Sequence, residues 1–443
     1  MRPRSSVRGI EWPALPDART STLFALLWQL EQSEWWSADE LGALQQRQLA
    51  AVFEHAATTT PHYQQALAGL TVDDWRHVPI LTRHDLIAAG PGLSSRRYPG
   101  QHGAAHETVS SRSTGEPVRV RMSDVVGTFW QALTLRDHAW HRRDLSARLG
   151  AIRYLGDAVP DPTGARSTGW GPATAGIAPD APLSVLSLAT TTAQQVAWLL
   201  REDPAYLLVY PTVLGAMLRL LATLPDRPRA LREVRTVSEA LSPDTRALCR
   251  DVLGVPLVDA YSAQEVGYVA LQCPDHAHYH VQAERLLVEI LDDDGAPCRP
   301  GAIGRVVVTD LHNFATPLIR YELGDFAEVG APCPCGRGLP VLTRIVGRRR
   351  GILRYPDGRT AWPLFTVACR EAAPYRELQL VQESIDRLRL RIVALAPLTA
   401  AHRAALTVAV QGSLGHRFIV AIDEVAELDR SPMGKLEEFV SLV

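Results

Sequence analysis

The sequence is short of several things, and each shortage excludes a class of protein. No stretch of its 443 residues approaches the ~20 consecutive apolar residues that a membrane-spanning helix needs. The most apolar early run, Leu23 to Leu30, is brief and flanked by polar residues. The arginine-bearing N-terminus lacks the apolar core and small-residue cleavage site of a secretory leader. Neither charge is in excess: 46 basic against 48 acidic side chains leave a net charge of -2, so nothing draws the chain to nucleic acid or an anionic membrane. Lysine is scarce beside arginine, a compositional bias and not an interaction surface. Cysteine is limited to six residues, too few for a disulfide scaffold. Cytosolic cysteines at close spacing are more often metal ligands. Repeats and low-complexity tracts are absent. A cytoplasmic location is expected.

What is present reads as an ordinary globular chain, 46% hydrophobic and 21% charged, long enough for a large core and an appended smaller domain. Residues 22–70 read as several helices, with Leu41, Leu44, Leu49, Val52 and Phe53 at roughly helical spacing and Pro61 and Pro79 as interruptions. From about 100, strands alternate with helices. Strands are expected at Ala151–Leu155, Leu183–Leu188, Tyr206–Val209, Val234–Val237 and Leu257–Ala260. Helices are expected at Thr192–Leu200, Val213–Leu224 and Pro243–Leu253. That alternation predicts a parallel sheet covered by helices, with ligand sites where strands end. After 280 strands and turns dominate, at Leu286–Leu291 and Arg305–Thr309 around the turn Asp293-Asp294-Gly295. A last unit carries strands Leu378–Gln382, Leu388–Val393 and Phe418–Ile422 and a helix Ala400–Leu414. The expected division is a large α/β domain, 1–347, and a small α+β domain, 348–443.

Four short segments carry chemistry. Ser110-Ser111-Arg112-Ser113-Thr114-Gly115 crowds hydroxyls and a glycine into one loop, and triphosphate oxygens accept hydrogen bonds only. In Tyr261-Ser262-Ala263-Gln264-Glu265 a ring at a strand end can stack on a purine, and a carboxylate four residues on can hold magnesium. Asp325, after Gly324 at the end of an apolar strand, can accept both hydroxyls of a ribose. Lys435, beside Gly434 in Ser431-Pro432-Met433-Gly434-Lys435-Leu436, projects a point charge. Taken singly, each is also what a surface loop or turn looks like.

Together and in this order they resemble the phenylacetate–CoA ligase-like branch of the adenylate-forming superfamily (acyl-CoA synthetases, adenylation domains, luciferases). His55-Ala56-Ala57 with Pro61-His62-Tyr63, Tyr210-Pro211-Thr212, Val237-Ser238-Glu239-Ala240-Leu241 and Pro317 to Asp325 followed by Cys333-Pro334-Cys335-Gly336-Arg337 extend the resemblance over almost the whole chain. The resemblance implies an α/β adenylate-forming fold with a mobile C-terminal domain. It implies that Ser111, Ser113, Thr114 and Gly115 grip the ATP phosphates, with Thr114 among the catalytic groups. Tyr261 would stack on adenine, lined by Ser238, Glu239 and Ala240. Glu265 would hold Mg2+, Asp325 the ribose, and Arg348 ribose or phosphate at a hinge. Lys435 would stabilise charge during adenylation. Two positions depart from the family pattern: Arg112 stands where glycine is usual, and Gln264 where threonine or serine is.

Cys273-Pro274-Asp275-His276, with His278 and His280 just beyond, and Cys333-Pro334-Cys335 offer three thiolates and an imidazole, a closed zinc set. Cys273, His276, Cys333 and Cys335 are the first choice, with His280 the alternative to His276, for one structural Zn2+. The implied activity joins a carboxylic acid to ATP as an acyl-adenylate (ATP to AMP and pyrophosphate), then transfers the acyl group to coenzyme A. Trp130, Tyr154, Trp170 and Tyr210 as candidate pocket walls point to an aryl acid. An amine or carrier protein as acceptor, and a non-catalytic relative, are the alternatives. A homodimer is compatible with the resemblance.

Overall fold

The computed structural model describes residues 1–109, 118–156, 160–348, 352–361, 363, 367–429, 436 and 438–443. The chain begins with two helices, α1 (Ala18–Ser33) and α2 (Ala38–Thr59). α1 buries Leu23, Leu27 and Leu30, one face at helical spacing, against Leu133 and Leu135 of the helix Asp124–Trp140. Ser37 starts α2 through a reciprocal capping box with Glu40. Pro61 opens the next helix, Pro61–Ala66, at a position where its missing N–H costs nothing.

The described chain forms two compact units. The first comprises Met1–Arg148, Ser167–Leu183 and Asp259–Ile345; the second Leu149–Arg166, Ser184–Val258 and Val346–Val443. In the first unit, with the strand ends Leu257–Val258 and Val346–Arg348 assigned to the second, strands run in the order Leu286–Leu291, Ile303–Asp310, Tyr321–Val329, Val341–Arg348, Tyr279–Val281, Gly267–Gln272 and Leu257–Ala263. Pairing of the first three is antiparallel, as is pairing through Tyr279–Val281 to Leu257–Ala263. The alternation read from the sequence did not contain the hairpin Leu257–Ala263/Gly267–Gln272. Gly267, at φ +79°, makes the reversal, and a Cβ there would lie 3.2 Å from the Trp130 ring.

In the second unit, Leu149–Arg153, Tyr206–Val209 and Glu233–Val237 pair in parallel, as the alternation predicts. Helices Thr192–Glu202, Pro211–Ala222 and Pro243–Leu253 bury Val196, Leu199, Leu214, Met217 and Leu221 with the strand residues Ile152, Leu207 and Val234. The same unit holds the C-terminal strands, ordered Ile419–Glu424, Arg387–Ala394, Tyr375–Ser384 and Phe439–Ser441, beside the helix Ala400–Leu414. These enclose an apolar core of their own, including Leu380, Leu390, Ile392, Leu406 and Phe418. Among the described residues, no helix is long and apolar enough to cross a membrane.

Candidate active site and metal centre

Tyr261 lies on the strand Leu257–Ala263, opposite Ala270, next to a register shift at Ser262. Asp325 lies on Tyr321–Val329, after Gly324 at φ +79°. The Tyr261 hydroxyl donates to the Asp325 carboxylate at 2.9 Å, although 64 residues separate the two. The side chains expected to meet the base and the sugar of a nucleotide are therefore in contact. Glu265 occupies the turn that follows Tyr261, where the Val266 N–H donates to the Ala263 carbonyl. Its carboxylate is 89% shielded and lies 3.6 Å from a guanidinium nitrogen of Arg83. Arg83 is the first residue of the helix Arg83–Ala89, fixed by a capping box between Thr82 and Asp85. No sequence pattern had marked it. One carboxylate is a fitting donor for magnesium, an ion carried mainly by substrate phosphates.

Ser238, Glu239, Ala240 and Arg348 belong to the second unit. Ser238 adopts φ +73°, a left-handed conformation that costs a non-glycine residue about 1–3 kcal/mol and is concentrated at functional sites. Glu239 accepts the backbone N–H of Thr212 at 3.0 Å and its hydroxyl at 2.8 Å. This joins the two motifs Tyr210–Thr212 and Val237–Leu241 and sets a carboxylate at a helix N-terminus, where the dipole favours it. Arg348 ends the strand Val341–Arg348, after Gly347 at φ +112°. Ser111, Ser113, Thr114, Gly115, Arg112 and Lys435 lie outside the described residues. The strands flanking 110–117 pair antiparallel, Val109 opposite Arg119.

The cysteine–histidine segments converge. Donor atoms of Cys273, His280, Cys333 and Cys335 all lie within 4.8 Å of one another. His276, the first choice from spacing, is not in this set and His280 is. The reason is the strand pairing: Tyr279–Val281 returns alongside Gly267–Gln272, with the Cys273 N–H donating to the His278 carbonyl at 2.9 Å, which aims His280 inward. His276 instead stacks on His278, ring centres 5.2 Å apart. The His278 Nε2 lies 2.9 Å from the Cys333 sulfur. Cys273 and Cys333 sulfurs are 3.9 Å apart, and the Cys335 sulfur is 3.4 Å from His280 Nε2. A tetrahedron with Zn–S of about 2.3 Å and Zn–N of about 2.0 Å has edges of about 3.8 and 3.5 Å, so the Cys273–Cys333 and Cys335–His280 separations fit zinc. Burial holds His280 neutral, with a pKa near 4, the form that can donate to a metal. Burial also pushes the Cys333 thiol to about 12, so an adjacent cation is what would make it a thiolate.

No family model matches the chain. The chain is 27% identical over 340 residues to a phenylacetate-coenzyme A ligase of Aromatoleum evansii, covering 73% of this chain and 74% of that enzyme. It is 29% identical over 170 residues to a phenylacetate-coenzyme A ligase of Thermus thermophilus, covering 35% of this chain but only 38% of the relative. A crystal structure of 2-hydroxyisobutyryl-CoA ligase in the postadenylation state shares the fold, with a TM-score of 0.71 at 20% identity over 93% of this chain and 91% of that one. The fold is thus that of the adenylate-forming ligases. In sequence the chain is similar, over about seven tenths of its length, to phenylacetate-coenzyme A ligases.

A sequence signal that spacing alone did not raise now stands out. Lys435 is the only lysine in the chain; every other member of its 46 lysines and arginines is arginine.

Proposed function

We propose that the chain activates a carboxylic acid with ATP and transfers it to coenzyme A. The substrate carboxylate attacks the α-phosphorus, the bond to the pyrophosphate oxygen breaks, and acyl-AMP and pyrophosphate result. The CoA thiol then attacks the acyl carbon, loses its proton and expels AMP. The observation that carries this reading is the Tyr261–Asp325 contact at 2.9 Å, with Glu265 on the adjoining turn. Tyr261 and Asp325 hold the nucleoside, with Ser238, Glu239 and Ala240 lining the base and Arg348 meeting ribose or phosphate. Glu265 holds magnesium, which screens phosphate charge when bound. The loop of Ser111, Ser113, Thr114 and Gly115 binds phosphate.

Lys435 stabilises the negative charge that develops in the first step. A chain that uses arginine throughout and keeps one lysine supports a role needing a compact ammonium rather than a planar fork. The zinc set Cys273, His280, Cys333 and Cys335 is structural, because four protein ligands leave no open position. The acid is aryl: the relatives above act on phenylacetate, and Trp130 lies against Gly267 beside the Glu265 turn. The chain works in the cytoplasm.

The test measures pyrophosphate release over a panel of aryl, hydroxy, fatty and amino acids, with and without CoA, followed by product mass. Release with an aryl acid and a CoA thioester as product is expected. Release without thioester would move the acceptor to an amine or carrier protein, and silence across the panel with a folded protein would end the ligase reading. Because Lys435 is the sole lysine, amine-selective reagents modify it and the N-terminal amine alone. ATP with the acid should protect the lysine.

A further inference from the structure

The loop between the strands Tyr321–Val329 and Val341–Arg348 carries Cys333 and Cys335 and then lies on the corner joining α1 to α2. The Gly338 N–H donates to the Glu34 carbonyl at 2.9 Å. A Cβ on Gly338 would fall 1.7 Å from the Trp36 carbonyl oxygen, so the loop backbone lies flat against the corner and only glycine fits. Arg337, two residues beyond Cys335, enters the corner as a side chain. Its guanidinium carbon is 4.8 Å from the Trp35 ring centre and 4.7 Å from that of Trp140, a sandwich between two indoles. Its Nε donates to Glu34 at 3.0 Å.

Glu34 faces that cation and the Arg136 guanidinium. It is 4% exposed and follows the last residue of α1, the end where a helix dipole opposes a carboxylate. Trp140 Nε1 donates to it at 2.9 Å. The other nearby guanidinium, Arg136, lies 3.6 Å away and is taken up by Glu284 at 2.7 Å and by Gln282 at 2.9 Å. Arg337 is therefore the cation held closest to Glu34, and it arrives on a loop with little regular structure. Inside the loop the Gly336 N–H donates to the Cys333 carbonyl at 3.2 Å and the Cys335 N–H to the Cys333 sulfur at 3.4 Å. Ligation of Cys333 and Cys335 together with Cys273 and His280 would fix the loop further. Trp140 touches both ends of this arrangement, since it also stands edge-on to His280 at 5.7 Å.

We propose that the loop Cys333–Gly338 is a metal-dependent clamp on the α1–α2 corner, with Arg337 as the residue that transmits the hold. The proposal rests on the zinc reading of the four donors and adds a consequence to it: the metal centre secures the N-terminal helices as well as its own loop. Arg337 is a positioning residue here and touches no substrate.

The test uses the full chain. Metal content is measured on purified protein. Hydrogen exchange is then followed by mass spectrometry on peptides covering 30–48, with peptides covering 211–222 as reference. The samples are metal-loaded protein, chelator-stripped protein, stripped protein resupplied with zinc chloride, and metal-loaded Arg337→Ala and Arg337→Lys. Exchange in 30–48 should rise about tenfold on stripping, as local opening is eased, and return with zinc, the reference peptides holding steady. Arg337→Ala should raise it by a similar factor with zinc content unchanged. Arg337→Lys, which keeps charge but loses the planar stack, should fall between. If stripping loosens the whole protein, the zinc-bearing Arg337 variants decide. A zinc-bearing Arg337→Ala chain whose corner exchanges like wild type overturns the clamp and leaves the metal assignment standing. A chain that binds no zinc overturns both.

Discussion

The candidate metal cluster and the candidate nucleotide residues make a useful pair, because both draw on segments far apart in sequence and the structure treats them differently. All four donors of the cluster fall in the first unit, at one strand pair and one loop. The nucleotide set is spread out. Tyr261, Glu265 and Asp325 lie in that unit, whereas Ser238, Glu239, Ala240 and Arg348 lie in the other. A closed structural site can be buried once and for all, so strand register alone can assemble it. Residues that must admit a substrate cannot all be locked into one another's contacts; Tyr261 with Asp325 is one locked contact within the first unit.

The comparison is broken most sharply at Lys435. Replacing it with alanine should cut pyrophosphate release at least about a hundredfold, the scale of losing one charge-stabilising group, with ATP affinity nearly unchanged by calorimetry. Wild-type release would remove the lysine from the reaction. At the cluster, purified protein should hold about one zinc per chain. Zinc at about a thousandfold over its Kd should stabilise by about 4 kcal/mol, read as a shift in the urea midpoint that Cys333→Ser abolishes. An unchanged midpoint would leave the four donors as ordinary thiols and a buried histidine.

A smaller effect is expected from the locked pair. Tyr261→Phe removes the hydroxyl donor to Asp325 and should cost about 1 kcal/mol of nucleotide affinity or stability. Asp325→Ala should cost more in affinity, because the ribose loses its acceptor. Equal, negligible losses in both would show that the pair only packs.

The smallest effect lies away from both sites and sets their background. Burial alone would raise the Glu202 carboxyl, but hydrogen bonds from Arg166, Ser184 and Arg201 overcome it and hold its pKa at about 2. A depressed carboxyl adds stability that is fully present above its ordinary value of 4.5 and is lost as the pH falls toward 2. Urea midpoints between pH 6 and pH 3 should fall less steeply for Glu202→Gln than for wild type. Parallel curves would show that the ion pairs of Glu202 carry no net stability.

Most elements were legible. The helices Pro243–Leu253 and Ala400–Leu414 and the strands Tyr206–Val209 and Leu286–Leu291 stand where hydrophobic period and turn residues put them. The hairpin at Gly267 was not, because a single glycine does not announce a reversal when a strand precedes and follows it. Arg83 beside Glu265 and Arg337 between Trp35 and Trp140 were invisible for another reason. An arginine carries no pattern of its own, and its meaning comes from what packs around it.

By itself the sequence determined which residue types are present in which order: hydroxyls, a strand-end tyrosine, carboxylates, a lone lysine and close-set thiols. Local periodicity set most helices and strands as well, since burial of one face follows from spacing alone. Only the tertiary structure decided that His280 and not His276 joins the three cysteines, that Tyr261 touches Asp325, and that Arg337 reaches Glu34. Such choices depend on strand register and on which way a side chain faces, and a one-residue slip reverses that facing.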